Sequence, residues 1–382
     1  MNLTGTKLDI EVKRGFSVSG DEVEAVRELS TQINKADASA VIVFVSSKYD
    51  LRIIGDELKN AFSVPVIGCS TSGEVTPDGY GEHSITGVSL ASNRLKTYSF
   101  EIDGLRNGSS ARMAEIGEQV RKLREEAKAE NPDIKSFGLL LIDGLSVMEE
   151  HVIGHLYGAL GNIPIIGGSA GDDLGFAETY VYSNGEFKSD TAVFTLFLTS
   201  LPFNTFKTQH FVPTEEKLVV TEAEPAKRII TEINGNPAAE EYANLVGMGV
   251  EELNPTVFSN NPVMLKIGGD YYVRSIQKAN PDGSLTFYCA IEEGLVLTLG
   301  KGEHLVTNLE KTLAEETAKI PNYKFILCCE CILRRLEVLD KALVEDMNSL
   351  IKRYNVIGFH SYGEQFNSVH VNQTFTGFIL GD

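Results

Sequence analysis

The sequence predicts an α/β (α+β) protein: mixed β-sheets with flanking helices, built from repeated β-α-β-hairpin units in two domains. Three observations carry that prediction. An apolar strand, a glycine, a short polar turn and a carboxylate recur as "VIGCSTSGEV" (66–75), "PIIGGSAGDD" (164–173) and "VIGFHSYGEQ" (356–365). Each is preceded by another apolar run and a helical stretch, and followed by alternating strands. With 382 residues, 42% of them hydrophobic and 23% charged, the chain can bury two cores and is too apolar for disorder.

In the first copy "AVIVFVS" (40–46) is a buried strand, Leu51, Ile54, Leu58 and Phe62 fall at helical spacing, and "ITGVSLAS" (85–92) alternates as a strand. The second copy runs from "FGLLLID" (137–143) through a helix from about Val147 to Leu160, the turn, and "TYVYSNGEFKSDTAVFTLFLTS". Its Asn184-Gly185 pair is a hairpin signal. The third copy has "KFILCCE" (324–330), one helix through Leu336 and Leu350, the turn, and "VNQTFTGFILG". A strand, a long helix and a second strand make a parallel crossover, and the hairpin strands that follow are expected to extend the same sheet antiparallel. Between copies two and three, residues 217–247 read as two strands and a helix starting near Pro237, and 263–294 as a meander. Pro202 and Pro213 mark a boundary, giving a lead-in at 1–36 and domains at 37–205 and 206–382.

The net charge is −19, with no basic run to offset it, so nucleic acid and anionic membrane are poor partners. No apolar run is long enough for a signal peptide or a spanning helix. Five cysteines without a framework spacing read as reduced thiols, which suits a cytoplasmic protein.

The repeated turns admit two readings. They are structural corners whose hydroxyls and carboxylates cap their own turns, or they converge at strand ends as ligand positions, with Ser70, Thr71, Glu74, Ser169, Asp172 and Glu364 as candidates. Catalysis has less support. "GGSAG" approaches a nucleophile elbow at Ser169, but it precedes a hairpin rather than a helix, and phosphate and dinucleotide loops are absent. His151 and His155 share a helix face without the glutamate a metalloprotease motif needs. His210, His360 and His370 abut apolar residues, and a buried imidazole is either a satisfied core group or a ligand to metal or haem iron. On the "CCEC" strand Cys329 and Cys331 point to one face and Cys328 to the other.

The turns "VIGCSTSGEV" and "IDGLS…IIGGSAGDD" resemble the FIST N domain, and "ITEINGNPAAEEY", "YYVRSIQ" with Arg274, "IEEG" and the third turn resemble the FIST C domain. The resemblance covers roughly residues 37–382 and implies an intracellular sensory protein that binds a small ligand and acts through a signalling partner. "CILRRLE", "GEQFNSVHVNQTFTGFILG" and "DGSLTFYCAIEEGLVLTL" look most like the NosP-type subgroup. That implies haem b, nitric oxide as a gas signal, and regulation of a histidine kinase. Its candidate haem ligands are His210, His360, His370, Cys329 and Cys331, with His370 and His210 foremost for the metal. An amino acid or similar metabolite held by Ser70, Thr71, Glu74 and Arg274 is the alternative. A homo-oligomer is compatible with either.

Overall fold

The β-branched runs do form strands, and each repeat builds its own sheet. In a computed structural model describing residues 9–382, the first sheet has the order Glu11–Ser17, Ile85–Ala91, Ala40–Ser46, Val66–Thr71. The second repeats this with Leu95–Asp103, Thr191–Thr199, Lys135–Ile142 and Ile165–Ser169. The third does so with Phe203–Thr208, Phe375–Gly381, Tyr323–Cys331 and Val356–Ser361. In each the two central strands are parallel, joined by a helical crossover.

The short hairpin after each turn corrects the sequence expectation. It leaves its own sheet and adds to a neighbour. Glu74–Thr76 and Gly79–Gly81 pair onto the third sheet, Glu364–Phe366 and Val369–Val371 onto the second, and Val181–Ser183 and Glu186–Lys188 onto the first. The exchange is cyclic. Only the longer return strand stays at home, antiparallel to the first strand of its unit.

The three sheets pack their inner faces against one another. Phe44, Leu139, Phe197, Leu327, Phe359 and Phe378 share one core, with Phe44 stacked on Phe359 at 4.5 Å and Phe137 4.9 Å from Phe378. Helices cover the outer faces: Glu22–Ile33 and Leu51–Ala61 on the first sheet, Ser110–Glu130 and Glu149–Leu160 on the second, Leu305–Ala318 and Val344–Arg353 on the third. The single helix expected in the third copy is two, Ile332–Asp340 and Val344–Arg353, broken where Ala342 takes φ 53°.

A fourth sheet interrupts the third unit between Phe203–Thr208 and Leu305–Ala318. Its strands run Asp270–Arg274, Val263–Ile267, Val296–Gly302, Phe211–Glu224, Ile229–Ile233, Leu285–Phe287 and Ile276–Ala279. Helices Ala238–Val246 and Pro255–Asn260 pack with it around Tyr242 and Phe258.

Candidate functional site

The repeated turns exist because a chain must leave one sheet and enter the next. Their backbones bind one another in a ring. Ser72 N donates to His360 O at 3.0 Å and His360 N to Gly73 O at 2.8 Å; Tyr362 N donates to Ser169 O and Ser169 N to Gly363 O; Gly171 N donates to Ser70 O and Ser70 N to Tyr180 O. Ser70, Ser169 and His360 are therefore equivalent positions. The carboxylates cap this hub. Glu74 accepts from Thr71 Oγ1, Ser84 N and Ser84 Oγ, and Glu364 from Ser361 Oγ, Thr374 N and Thr374 Oγ1. In the second unit Asp143 does this work, accepting from Thr179 Oγ1 and from Asp190 N at 2.6 Å. Burial pushes Glu74 up to about 7 and Glu364 up to about 8, despite those donors.

Residues 172–179 have no counterpart in the other two turns. This extra loop is knotted by Asp172, which accepts from Phe176 N at 2.9 Å, Ala177 N at 2.6 Å and Glu178 N at 3.1 Å. Asp173, Leu174 and Phe176 all hold positive φ, between 49° and 66°, which costs side-chain-bearing residues roughly 1–2 kcal/mol each. Tyr362 offsets part of that by donating to Asp172 Oδ1 and accepting from Leu174 N at 2.7 Å. Phe176 stacks on Tyr362 at 5.2 Å and lies 6.1 Å from Tyr288 of the inserted sheet. Tyr362→Phe is expected to cost about 1–3 kcal/mol, since it strands a half-buried N–H; urea unfolding measures it, and an unchanged midpoint would contradict the role given to the hydroxyl.

Beyond this loop the inserted sheet meets the second unit's helix and the Glu364–Val371 hairpin, and the seam is polar and buried. Arg228 donates to Glu149 at 2.6 Å, to Glu150, and to Tyr288 O at 2.6 Å. Burial alone would lower that guanidinium, but the two carboxylates outweigh it and leave it raised. Arg274 Nη1 reaches His370 O at 3.4 Å and Asn372 Oδ1 accepts from Ser275 N at 3.3 Å. Gln365 Nε2 donates to Ser169 Oγ at 3.0 Å and lies 3.4 Å from His370 Nδ1. Four buried atoms here have no hydrogen-bond partner among the described residues: Arg274 Nε, Ser275 Oγ, Gln365 Oε1 and His370 Nε2. Burial lowers the His370 pKa, partly countered by Glu150 and Glu149, so the ring is neutral and the nitrogen away from Gln365 carries the proton. Of the four unpartnered atoms, Arg274 Nε and His370 Nε2 are donors and Gln365 Oε1 is an acceptor, the chemistry that pairs with a carboxylate and with an N–H group.

The structure brings Ser169, Arg274, His370 and Glu364 to the hub and seam, while Ser70, Thr71 and Glu74 lie in the first turn, with their side chains bonded within the ring. Ser70 Oγ donates to Gly171 O at 2.9 Å and accepts from Tyr180 N at 3.0 Å. The Ser169 hydroxyl accepts from Gln365 Nε2 at 3.0 Å, and among the described residues it is hydrogen-bonded to neither a histidine nor Asp172. Sequence reading missed Arg228, Gln365, Ser275 and Asp143. Gln365 ends the third quoted turn, Ser275 follows Arg274 in "YYVRSIQ" and Asp143 lies in "IDGLS", so the motifs themselves were a usable signal; Arg228 offered none beyond charge.

Haem needs a donor with an open face and an apolar slot. His210 Nε2 donates to Glu337 at 2.8 Å and its Nδ1 accepts from Arg334 at 3.1 Å, so neither nitrogen is available. His360 is enclosed, edge-on to Tyr80 at 4.5 Å, with burial and the charges of Arg335 and Arg334 holding it well below its usual pKa. His370 lies among the charged groups of Glu150, Glu149, Arg228 and Arg274 rather than against the apolar surface a porphyrin needs. Cys329 and Cys331 are buried, and burial pushes both thiols well up, away from the thiolate a metal would take. Among the described residues no cluster of three or more His, Cys, Asp or Glu could hold a metal. As arranged, these residues do not fit haem.

A cleft of about 800 Å³ opens on the other side of the extra loop. Tyr49, Leu51, Gly55 and Asp56 line one wall, and Gly175, Glu178, Tyr180, Glu186 and Phe187 the other. No helix among the described residues is long and apolar enough to cross a membrane.

Comparison with known proteins accords with this architecture. Residues 39–236 match the FIST N domain and residues 238–367 the FIST C domain. An uncharacterized protein of Methanocaldococcus jannaschii, MJ1623, is 23% identical over 400 residues, covering 94% of this chain and 76% of the relative. FIST domains are sensory domains of signal transduction. The chain belongs to the FIST family, with a FIST N domain followed by a FIST C domain.

Proposed function

We propose that this protein is a small-molecule sensor whose ligand, an amino acid or a related amino-carboxylate metabolite, lodges in the seam between the inserted sheet and the three-sheet core. One observation carries the reading: Arg274 Nε, Ser275 Oγ, Gln365 Oε1 and His370 Nε2 are buried there without partners. Unpaired buried polar atoms cost about 1–3 kcal/mol each, and a ligand that pairs them recovers that. Arg274 and His370 take the carboxylate, and Gln365 Oε1 takes an N–H of the solute. Because Arg274 and Ser275 belong to the inserted sheet while Gln365 and His370 belong to the core, ligand binds the two bodies to each other and favours their docked arrangement. A signalling partner, such as the histidine kinase the family resemblance implies, reads that shift.

A melting screen with amino acids and small carboxylates tests this. The responsive solute is expected to raise stability by about 2.7 kcal/mol at a hundredfold excess over Kd, and Arg274→Gln to weaken it at least tenfold. A screen that leaves the melting curve unmoved, or a saturable Soret band near one haem per chain on adding haemin, would overturn the reading.

A further inference from the structure

A solute that fills the seam has to reach it first. Arg274, Ser275, Gln365 and His370 are each less than a tenth exposed, so a wall of the seam has to move. Most of the walls resist that. Arg228 pins the inserted sheet to Glu149 and Glu150. Helix Glu149–Leu160 is anchored in its own core by Val152, Ile153 and Leu156, and the hairpin from Glu364 is laddered onto Ile165–Ser169. The extra loop is held differently. Residues 172–179 form neither helix nor strand, and Gly175, Phe176, Ala177 and Glu178 are exposed. Asp172 closes the loop on itself through three backbone N–H groups. Among the described residues, the hydrogen bonds and ion pairs from 172–178 to the rest of the chain all involve a side chain. They include the Tyr362 hydroxyl on Asp172 and Leu174, Ser72 Oγ on Asp173 N at 3.1 Å, and Lys48 and Arg335 on the Asp173 carboxylate at 3.1 and 3.5 Å.

We infer that the extra loop is a lid, that Phe176 is its plug, and that solutes pass beneath it between the open cleft and the buried seam. The loop divides the two places. Gly175, Ala177 and Glu178 line the cleft of about 800 Å³, a volume that admits a metabolite-sized solute. On the other surface Phe176, still 37% exposed, stacks on Tyr362 and approaches Tyr288. Each tyrosine is one backbone hydrogen bond from the seam. Tyr288 N donates to Ser275 O at 3.0 Å, and Tyr362 N to Ser169 O at 3.1 Å, the serine whose hydroxyl receives Gln365. Withdrawing Phe176 breaks two aromatic contacts and no sheet ladder or helix, which makes it a local opening rather than an unfolding. Its positive-φ neighbours Asp173 and Leu174 strain the closed form and lower the cost of leaving it. What passes beneath the lid rests on the sensory reading above; the opening itself does not.

Two buried thiols report on that opening without any ligand. Cys331 packs with Tyr288 and Tyr362, and Cys289 lies beside Arg274, which opposes the rise that burial gives its thiol pKa. The full chain is treated with N-ethylmaleimide under native conditions and the labelled peptides are followed by mass spectrometry. Phe176→Ala is expected to speed labelling at Cys331 and Cys289 at least tenfold, with Cys69 and Cys329 of the inner core within twofold of the wild type. Asp172→Asn, which turns one acceptor oxygen of the loop's knot into a donor, is expected to act on the same two thiols. If Phe176→Ala loosens the whole chain, so that all four label faster, Asp172→Asn decides. Unchanged rates in both variants, or a uniform rise at all four thiols in both, would overturn the inference. So would Cys289 labelling that Arg228→Gln speeds and the loop variants do not, which puts the entrance on the helix side. The expected labelling together with a melting screen that no solute moves would overturn the sensory reading and leave the lid standing.

Discussion

Gly358→Ala is expected to leave little or no folded protein. Gly358 stands beside Cys328 on the parallel neighbour, and an added Cβ would fall 1.9 Å from the Cys328 carbonyl oxygen and 2.6 Å from its sulfur. The equivalent glycines behave alike: a Cβ on Gly167 would lie 2.0 Å from Leu140 O, and one on Gly68 2.3 Å from Val43 O. The obstruction is backbone at the middle of a sheet whose other edge is already paired, so relief requires moving a buried ladder. Overpacking typically costs about 1–3 kcal/mol when side chains can yield; here the cost is expected above about 3 kcal/mol, a large share of a domain's roughly 5–15. Gly158→Ala, on an exposed helix surface with open space around it, is the control, expected to be neutral or stabilising by up to about 1 kcal/mol. Soluble yield and thermal melting compare them. A Gly358→Ala protein that melts with the wild type would show that the strands tolerate a side chain there, and that the repeated glycine has some other cause.

The second large effect is a dependence of stability on pH centred on Glu364. Its folded pKa is raised to about 8 from an ordinary 4.5 because the carboxyl is fully buried, which outweighs three hydrogen-bond donors. Between those values the folded chain holds a proton that the unfolded chain has lost. The contribution is therefore complete below about pH 4.5 and disappears as pH rises through 8. At about 1.4 kcal/mol per pKa unit the swing amounts to several kcal/mol, and Glu74, raised to about 7, adds in the same direction. Glu364→Gln cannot ionise and so lacks the swing. Urea unfolding at pH 5, 7 and 9 is expected to show the variant gaining on the wild type at each step. Parallel curves would mean that Glu364 is ionised throughout in the folded state.

Much of this architecture is legible in the sequence, because local pattern determines it. The strand at 40–46, the Asn184-Gly185 hairpin and the helix ending at Leu160 lie where periodicity and turn chemistry put them. The destination of each hairpin is not legible. "VIGCSTSGEV" says that a strand turns and continues, but whether Glu74 pairs at home or with Phe359 depends on contacts nearly three hundred residues away. The break at Lys341–Leu343 was hidden because the apolar spacing runs on through it. At the site, position after the glycine groups Asp172 with Glu74 and Glu364, yet the extra loop displaces Asp172 and Asp143 takes the capping work. His210 reads as a lone imidazole among apolar residues until folding brings Glu337 and Arg334 to both its nitrogens.

The function proposed for this protein places a small polar ligand in the seam between inserted sheet and core. A crystal structure of the full chain with the most stabilising solute from the melting screen tests this most directly. Density for the solute bridging Arg274 and His370, with Gln365 Oε1 accepting from it, is the expected result. Density confined to the acidic cleft, or a seam closed by water alone while the solute still stabilises, would contradict it.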